Sequence, residues 1–235
     1  MSGHDGSGVK SAERALTILE LFSRRNRALT FTEVADLLGY PRSSLHGLLR
    51  TLADRGWLRL DPATRRFSLG IRAWEAGSSF APAVELVRSA APVVEQLRDV
   101  VDGTVHVSVL DGAETVRVLG SDAGEVARAA AHASGAGRVL LANLDGLPDA
   151  PGAPADAEEL QRRLDRVRVE GWADGDSSDG VPSLAVPVRG GDGAVVAALG
   201  VAAPGLGAGE RDGVLRALQQ GAERISAALG YQPAG

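Results

Sequence analysis

The chain has 235 residues, 44% of them apolar, with no cysteine and a formal net charge of −5. It is long enough to bury a core in one large domain or two modest ones. The absence of cysteine excludes disulfides, thiol nucleophiles and Cys-based zinc sites. No uninterrupted apolar run reaches the roughly 18 residues of a membrane span. The polar, glycine-rich opening Met1–Val9 lacks the apolar segment of an export signal, so a cytoplasmic protein is expected. The acidic balance hides an asymmetry. Residues 1–76 hold 12 Lys/Arg against 8 Asp/Glu, while residues 77–235 hold 13 against 22. Such a division points to one part that meets polyanions and one that does not.

In chain order, Ser11 is placed to cap a first helix whose apolar face carries Ala15, Leu16, Ile18, Leu19 and Phe22. Arg24-Arg25-Asn26-Arg27 breaks that pattern. Thr30-Phe31-Thr32-Glu33 matches a capping box, opening a short helix through Leu38. Gly39 ends it, and Pro41 suits the first turn of a third helix that runs to about Arg55. Leu45, Leu48, Leu49 and Leu52 share one face of that helix; Arg42, Ser43, His46, Gly47 and Arg50 share the other. After Gly56 the period changes to two. Trp57–Leu60 and Arg66–Leu69 read as paired strands about a turn at Asp61–Arg65. Helix, helix, tight turn, helix and hairpin make a winged helix-turn-helix over residues 1–70. Residues 71–82 read as a linker helix, with Pro82 at the junction.

Residues 83–235 read as an α+β domain with an antiparallel sheet. Val84–Val101 is an amphipathic helix, and Thr104–Leu110 and Thr115–Leu119 are strands about Asp111-Gly112. A helix starts near Ser134 and runs through Leu144. Leu147–Ala157 is an exposed Pro/Ala/Gly/Asp loop, followed by a helix to Val169. Leu184–Val188 and Ala194–Val201 form a hairpin about Gly190–Gly193, and a last helix spans roughly Glu210–Leu229.

The third helix buries one side and offers the other, as a helix entering the major groove must. Arg42 and Arg50 reach phosphate or guanine edges. Ser43, Ser44 and His46 are short polar groups near the helix start, and Gly47 leaves room for close approach. Arg65 and Arg66 lie at the hairpin tip, where a wing touches phosphate. The plain alternative is an amphipathic helix with a merely solvated polar face. The ordered capping box, glycine turn, proline start and basic hairpin favour DNA.

Several stretches make the comparison more specific. Val9–Phe22 (VKSAERALTILELF), Leu29–His46 (LTFTEVADLLGYPRSSLH), Leu48–Leu52 and Arg65–Gly70 resemble the opening of the IclR family of bacterial transcription regulators. Ala131–Ala142 (AHASGAGRVLLA), Ala185–Val188 and Val195–Val201 resemble that family's effector-domain signature. The resemblance covers nearly the whole chain in order. It implies a GAF-like effector-binding domain and a homodimer or homotetramer on double-stranded operator DNA. The expected DNA-binding set is Lys10, Ser11, Arg14, Thr32, Arg42, Ser43, Ser44, His46, Gly47, Arg50, Arg65 and Arg66.

Ser134-Gly135-Ala136-Gly137 opens a helix, where free amides and the dipole favour an anion and small residues admit a carboxylate. Tight packing of a helix start on the sheet explains the same residues. The resemblance implies that the amides of Gly135 and Ala136 hold an acidic effector. Ser134, Ala129, Val181, Ser183, Gly200 and Ala202 would complete the site. Family members often carry cysteine where Ser183 stands, and some carry serine where Gly200 and Ala202 stand. The loss of those hydroxyls makes the pocket roomier and less polar. That favours a ring-bearing acid such as a hydroxybenzoate over a two- or three-carbon acid. The loop Trp172–Gly180 is short by comparison, which leaves both Asp174 and Asp176 as its pocket acid.

No cofactor, metal site or catalytic group is expected. Asp174–Gly180 resembles a calcium loop, but its third acid falls one place late and its twelfth position is Ala185. It reads as a solvated acidic loop. His4, His46, His106 and His132 lack metal-ligand spacing. His106 shares a strand face with Thr104 and Ser108 and either lines the pocket or faces water. There is no GxSxG elbow or P-loop. An α+β hydrolase with an appended interaction module is the rival class, but no nucleophile, base and orienter assemble around Ser134 and His132. An architectural DNA binder that needs no ligand is the second rival.

Overall fold

The computed structural model describes residues 9–121, 128–144, 146, 157–176, 180–206 and 208–232. The chain divides into two compact units between Ala81 and Pro82.

The first unit runs α1 (Lys10–Arg25), β1 (Leu29–Thr30), α2 (Phe31–Leu38), α3 (Arg42–Asp54), β2 (Leu58–Asp61), β3 (Arg66–Leu69) and α4 (Ile71–Ser78). Its core is Ile18, Phe22, Leu29, Val34, Leu45, Leu49 and Leu58, all nearly inaccessible, ringed by Ala35, Leu52 and Phe67. The capping box is present. The Thr30 hydroxyl accepts from the Glu33 amide at 3.3 Å, and the Glu33 carboxylate accepts from the Thr30 amide at 2.8 Å. Gly39, with φ +64°, ends α2 in the left-handed region.

Three local expectations need correction. Ser11 does not cap α1; it lies inside the first turn, after an uncapped Val9. Leu16 is exposed, because the buried stripe of α1 passes through Ile18 and Phe22 with Ala15 and Leu19 beside it. Pro41 is the residue before α3, its carbonyl accepting from the Leu45 amide, rather than its first helical residue. The hairpin gains a third strand, in the order β1-β3-β2, because Leu29 and Thr30 pair with Phe67 and Arg66.

The second unit runs α5 (Ala81–Arg98), β4 (Thr104–Asp111), β5 (Glu114–Gly120), β6 (Arg128–Ala130), α6 (Gly135–Ala142), α7 (Ala157–Glu170), β7 (Ala173–Asp176), β8 (Pro182–Arg189), β9 (Val195–Ala202) and α8 (Ala208–Ala228). Its sheet is antiparallel throughout, in the order β6-β5-β4-β9-β8-β7. Strand alternation separates two cores. On one face, Val105, Val107, Leu184, Val186, Leu199 and Val201 meet Leu86, Val93 and Leu97 of α5 and Leu218 and Ile225 of α8. On the other, Ala173, Ala185 and Ala198 meet Val139 and Leu140 of α6 and Leu160 and Leu164 of α7.

Pro82 stands at the junction of the two units and falls in the first turn of α5, where a missing N–H leaves no bond unmade. Residues 174–176, expected in a solvated acidic loop, belong to edge strand β7. The expected loop of residues 147–156 lies outside the described residues. No helix among the described residues is long and apolar enough to cross a membrane.

Candidate DNA interface and ligand site

In the first unit α3 carries the exposed polar face. Arg42, Ser43, His46, Gly47 and Arg50 are all exposed, while Leu45 and Leu49 behind them are buried. Ser44 turns its hydroxyl back onto the Pro41 carbonyl at 2.9 Å, within the first turn. Arg50 meets Asp54 only at 3.7 Å, both side chains open to solvent, a pairing worth little. Gly47 stands inside a helix, where glycine costs about 1 kcal/mol against alanine. A Cβ there would touch nothing within 4 Å, so packing within the chain does not require the glycine. Lys10, Ser11 and Thr32 are exposed at the starts of α1 and α2. Arg14 lies over the Tyr40 ring, 5.1 Å from its centre.

The two hairpin arginines part company. Arg65 sits at φ +56° with its side chain exposed. Arg66 is drawn back into the unit, donating to the Ala28 carbonyl at 3.0 Å and to Glu33 at 3.2 Å. Glu33 also receives Arg27 at 2.8 Å. The Thr30 amide first, then Arg27 and the Thr30 hydroxyl, hold its carboxyl down at about 2. Thus Arg66 fastens β3 to the start of α2. At the turn, Asp61 accepts from the Thr64 hydroxyl and the Ala63 amide, which lower its pKa.

In the second unit the register gathers one polar row on the α6 side of the sheet. Thr104 pairs with Ala202, and Ala202 with Ser183, which in turn faces Gly175. The next row is His106, Gly200, Ala185 and Ala173. Ser183, Gly200 and Ala202 therefore share a face with the start of α6. Ser183 is 5% exposed, and its hydroxyl has no hydrogen-bond partner among the described residues. It lies 3.4 Å from where a Cβ on Gly135 would stand. Ser134 caps α6 by accepting from the Gly137 amide at 3.0 Å, leaving the first two amides of the helix outside its own ladder.

Packing governs this corner as well. A Cβ on Gly175 would lie 2.6 Å from the Gly135 nitrogen, and a Cβ on Gly137 only 1.9 Å from the Ala131 carbonyl oxygen. The helix start is seated hard on β7, as the packing reading of Ser134–Gly137 expects. The expected space over Gly200 is not empty. A Cβ there would stand 2.8 Å from His106 Nε2, so the imidazole covers the glycine. This places His106 on the sheet face rather than leaving it open between pocket and water. Val181 precedes β8, partly buried. Ala129 is remote: it lies on β6, separated from β9 by β5 and β4.

The acids do other work. Alternation on β7 turns Asp174 and Asp176 away from α6, since Asp174 pairs with Leu184 of the opposite core. The Asp174 carboxylate meets Arg211 at 2.7 Å, and Arg211 lies 4.6 Å from the Trp172 ring centre. Arg138, which the sequence reading passed over, donates from Nε to the His132 carbonyl at 3.0 Å. It also reaches the Asp174 carbonyl at 2.6 Å and the Ala133 carbonyl at 3.3 Å. Burial, then the nearby Arg163, pulls its pKa down from the usual arginine value. The signal for it in sequence is a basic residue in the first turn of a helix, where the dipole disfavours a cation unless carbonyls surround it. Arg138, Arg163, Asp174, Asp176, Ser183 and Arg211 line a pocket of about 280 Å³ at this sheet edge.

Comparison with known proteins matches a segment in each of the two units. The IclR helix-turn-helix domain profile fits residues 11–62, and that of the bacterial transcriptional regulator IclR C-terminal domain fits residues 148–227. The HTH-type transcriptional regulator XynR of Escherichia coli is 29% identical, the alignment covering 95% of this chain and 98% of that one. A transcriptional regulator from Rhodococcus sp. RHA1 is 27% identical with a TM-score of 0.70, covering 94% and 98% of the two chains. An IclR homologue from Microbacterium hydrocarbonoxydans, solved with 4-hydroxybenzoate, shares the fold at 24% identity and a TM-score of 0.75, covering 93% and 98%. These relatives are regulators and not enzymes, which removes the hydrolase alternative. With a DNA-binding helix-turn-helix ahead of an α+β effector-binding unit, the chain belongs to the IclR family of transcription regulators.

Proposed function

We propose that the C-terminal unit senses a small carboxylic acid, an aromatic acid such as a hydroxybenzoate being the favoured class, and that the acid tunes operator binding by the N-terminal unit. Ser183 carries this reading. A hydroxyl buried without a partner among the described residues costs about 1–3 kcal/mol, and this one lies beside Gly135 at the start of α6, where an anion belongs. With His106 over Gly200, the preference for a ring rests on Ala202, whose side chain is only a methyl between Thr104 and Ser183. The Microbacterium homologue that holds 4-hydroxybenzoate supports the same class.

The exposed face of α3, led by Arg42 and Arg50, reads the major groove, and unpaired-by-packing Gly47 admits the backbone; Arg65 is the wing contact. One such unit offers little area, so a homodimer or homotetramer on a pseudo-palindrome is proposed. Ile71 and Trp74, 64% and 68% exposed on α4, are its apolar seam. We read residues 1–70 as the DNA-binding domain, 71–82 as the linker and 83–235 as a GAF-like effector domain, acting in the cytoplasm where the operator is.

A thermal-shift series with 4-hydroxybenzoate, benzoate and pyruvate tests the reading, since a ligand selective for the native state stabilises it by about 2.7 kcal/mol at a hundredfold excess over Kd. The stabilising acid is expected to change operator affinity and to be recovered unconsumed. Stabilisation by uncharged compounds alone, or operator binding indifferent to every acid, overturns it.

A further inference from the structure

We propose that Arg138 is the positioning residue of the acid site: it fixes the helix-start amides and the Ser183 hydroxyl in one cradle without touching the acid itself. The inference rests on the effector reading above. The cradle has two walls from distant parts of the chain. One is the segment His132–Ala136 entering α6; the other is edge strand β7 with Ser183 of β8 behind it. Gly135 and Gly175 leave almost no tolerance between these walls. A single guanidinium spans them. Its Nε and one terminal nitrogen hold the carbonyls of His132 and Ala133, and its other terminal nitrogen holds the carbonyl of Asp174. Three donors in a rigid fork fit three carbonyls as an ammonium cannot. Each nitrogen is engaged with backbone, so Arg138 acts through the geometry it imposes. Its charge, beside a helix N-terminus, adds to the field that favours an anion there. Asp174 is also gripped from the opposite sheet face by Arg211, through its carboxylate. That second grip reaches β7 alone and leaves the helix side untouched, so it serves as the control.

The test titrates the full-length protein with 4-hydroxybenzoate and with its uncharged methyl ester, comparing wild type with Arg138→Met, Arg138→Lys and Arg211→Met. Arg138→Met is expected to weaken the acid about tenfold, the scale of one charge-assisted hydrogen bond. It should leave the ester within about twofold and ligand-free operator binding unchanged. Arg138→Lys should fail to restore the acid, and Arg211→Met should keep the wild-type ratio of acid to ester. Equal weakening of acid and ester reduces Arg138 to general support and overturns the proposal, as does full rescue by lysine or wild-type behaviour of Arg138→Met. Failure of the wild type to bind 4-hydroxybenzoate, benzoate or pyruvate sinks the effector reading itself, and this proposal with it.

Discussion

In the N-terminal unit, one helix holds nearly the whole of the proposed recognition surface. Arg42, Ser43, His46 and Arg50 of α3 face solvent, while Leu45, Leu49 and Leu52 anchor the same helix in the core. In the C-terminal unit the proposed ligand site is assembled from α6, β7, β8 and β9, and its central hydroxyl, Ser183, is buried. The first site can therefore lose a side chain and keep its shape. The second is bounded by contacts that a single methyl would break. A site on one exposed helix is chemically separable from its scaffold, whereas a site on a sheet face is the scaffold.

The sharpest way to break the comparison is a methyl at the tightest seat. Gly137→Ala puts a Cβ 1.9 Å from a backbone oxygen that has no room to retreat. It is expected to destabilise the C-terminal unit by about 3 kcal/mol or more, read as an early calorimetric transition with loss of ligand response. A variant that melts like wild type would mean the seat is softer than drawn. On the other side, Arg50→Ala and Arg42→Ala should leave folding intact and each weaken operator binding by roughly 1–3 kcal/mol if they read bases. Gel-shift titrations on operator and scrambled DNA measure this; unchanged affinity would falsify the placement of the recognition helix.

Within the ligand site, substitutions must respect the packing. Gly135→Val would crowd Ala173 and Asp174, and Gly200→Phe would strike His106, so neither isolates the ligand. Ser183→Ala and Ala202→Phe do so more cleanly. The first should lower acid affinity by about 1 kcal/mol, and the second should abolish the response while operator binding by the ligand-free protein persists.

Smaller effects separate the two hairpin arginines. Arg65→Ala should weaken all DNA sequences evenly and reduce the salt slope by about 1. Arg66→Ala should chiefly loosen β3 from α2 and lower the melting temperature of the N-terminal unit. Glu33 gives that network a pH signature. Its carboxyl is held at about 2 against an ordinary 4.5. A depressed carboxyl contributes stability that is complete above its unfolded value and is lost as pH falls from about 4.5 towards 2. Glu33→Gln should lower stability at neutral pH and flatten its decline across that window. An unaltered acid limb in the variant would assign the transition to other groups.

The primary sequence alone determined the order of the longer elements, the capping box at Thr30 and Glu33, the buried stripe of α3 and the start of α6 at Ser134. Each follows from interactions spanning a few residues: side-chain periodicity, a hydroxyl three places before a carboxylate, a small-residue run after a cap. The two-residue β1 and the edge strands β6 and β7 were not legible: β1 and β6 are too short to carry a period, Ala173-Asp174-Gly175-Asp176 of β7 has the composition of a loop, and each pairs with a longer neighbour. Tertiary structure alone decided that Arg66 belongs to the scaffold and Arg65 to the surface, since Ala28 and Glu33 lie 38 and 33 residues away along the chain. It also decided that His106 fills the space over Gly200, that Asp174 answers to Arg211, and that Arg138 bridges segments 36 residues apart. These outcomes depend on strand register, where a shift of one residue turns every side chain to the other face, and register is fixed by the whole sheet at once.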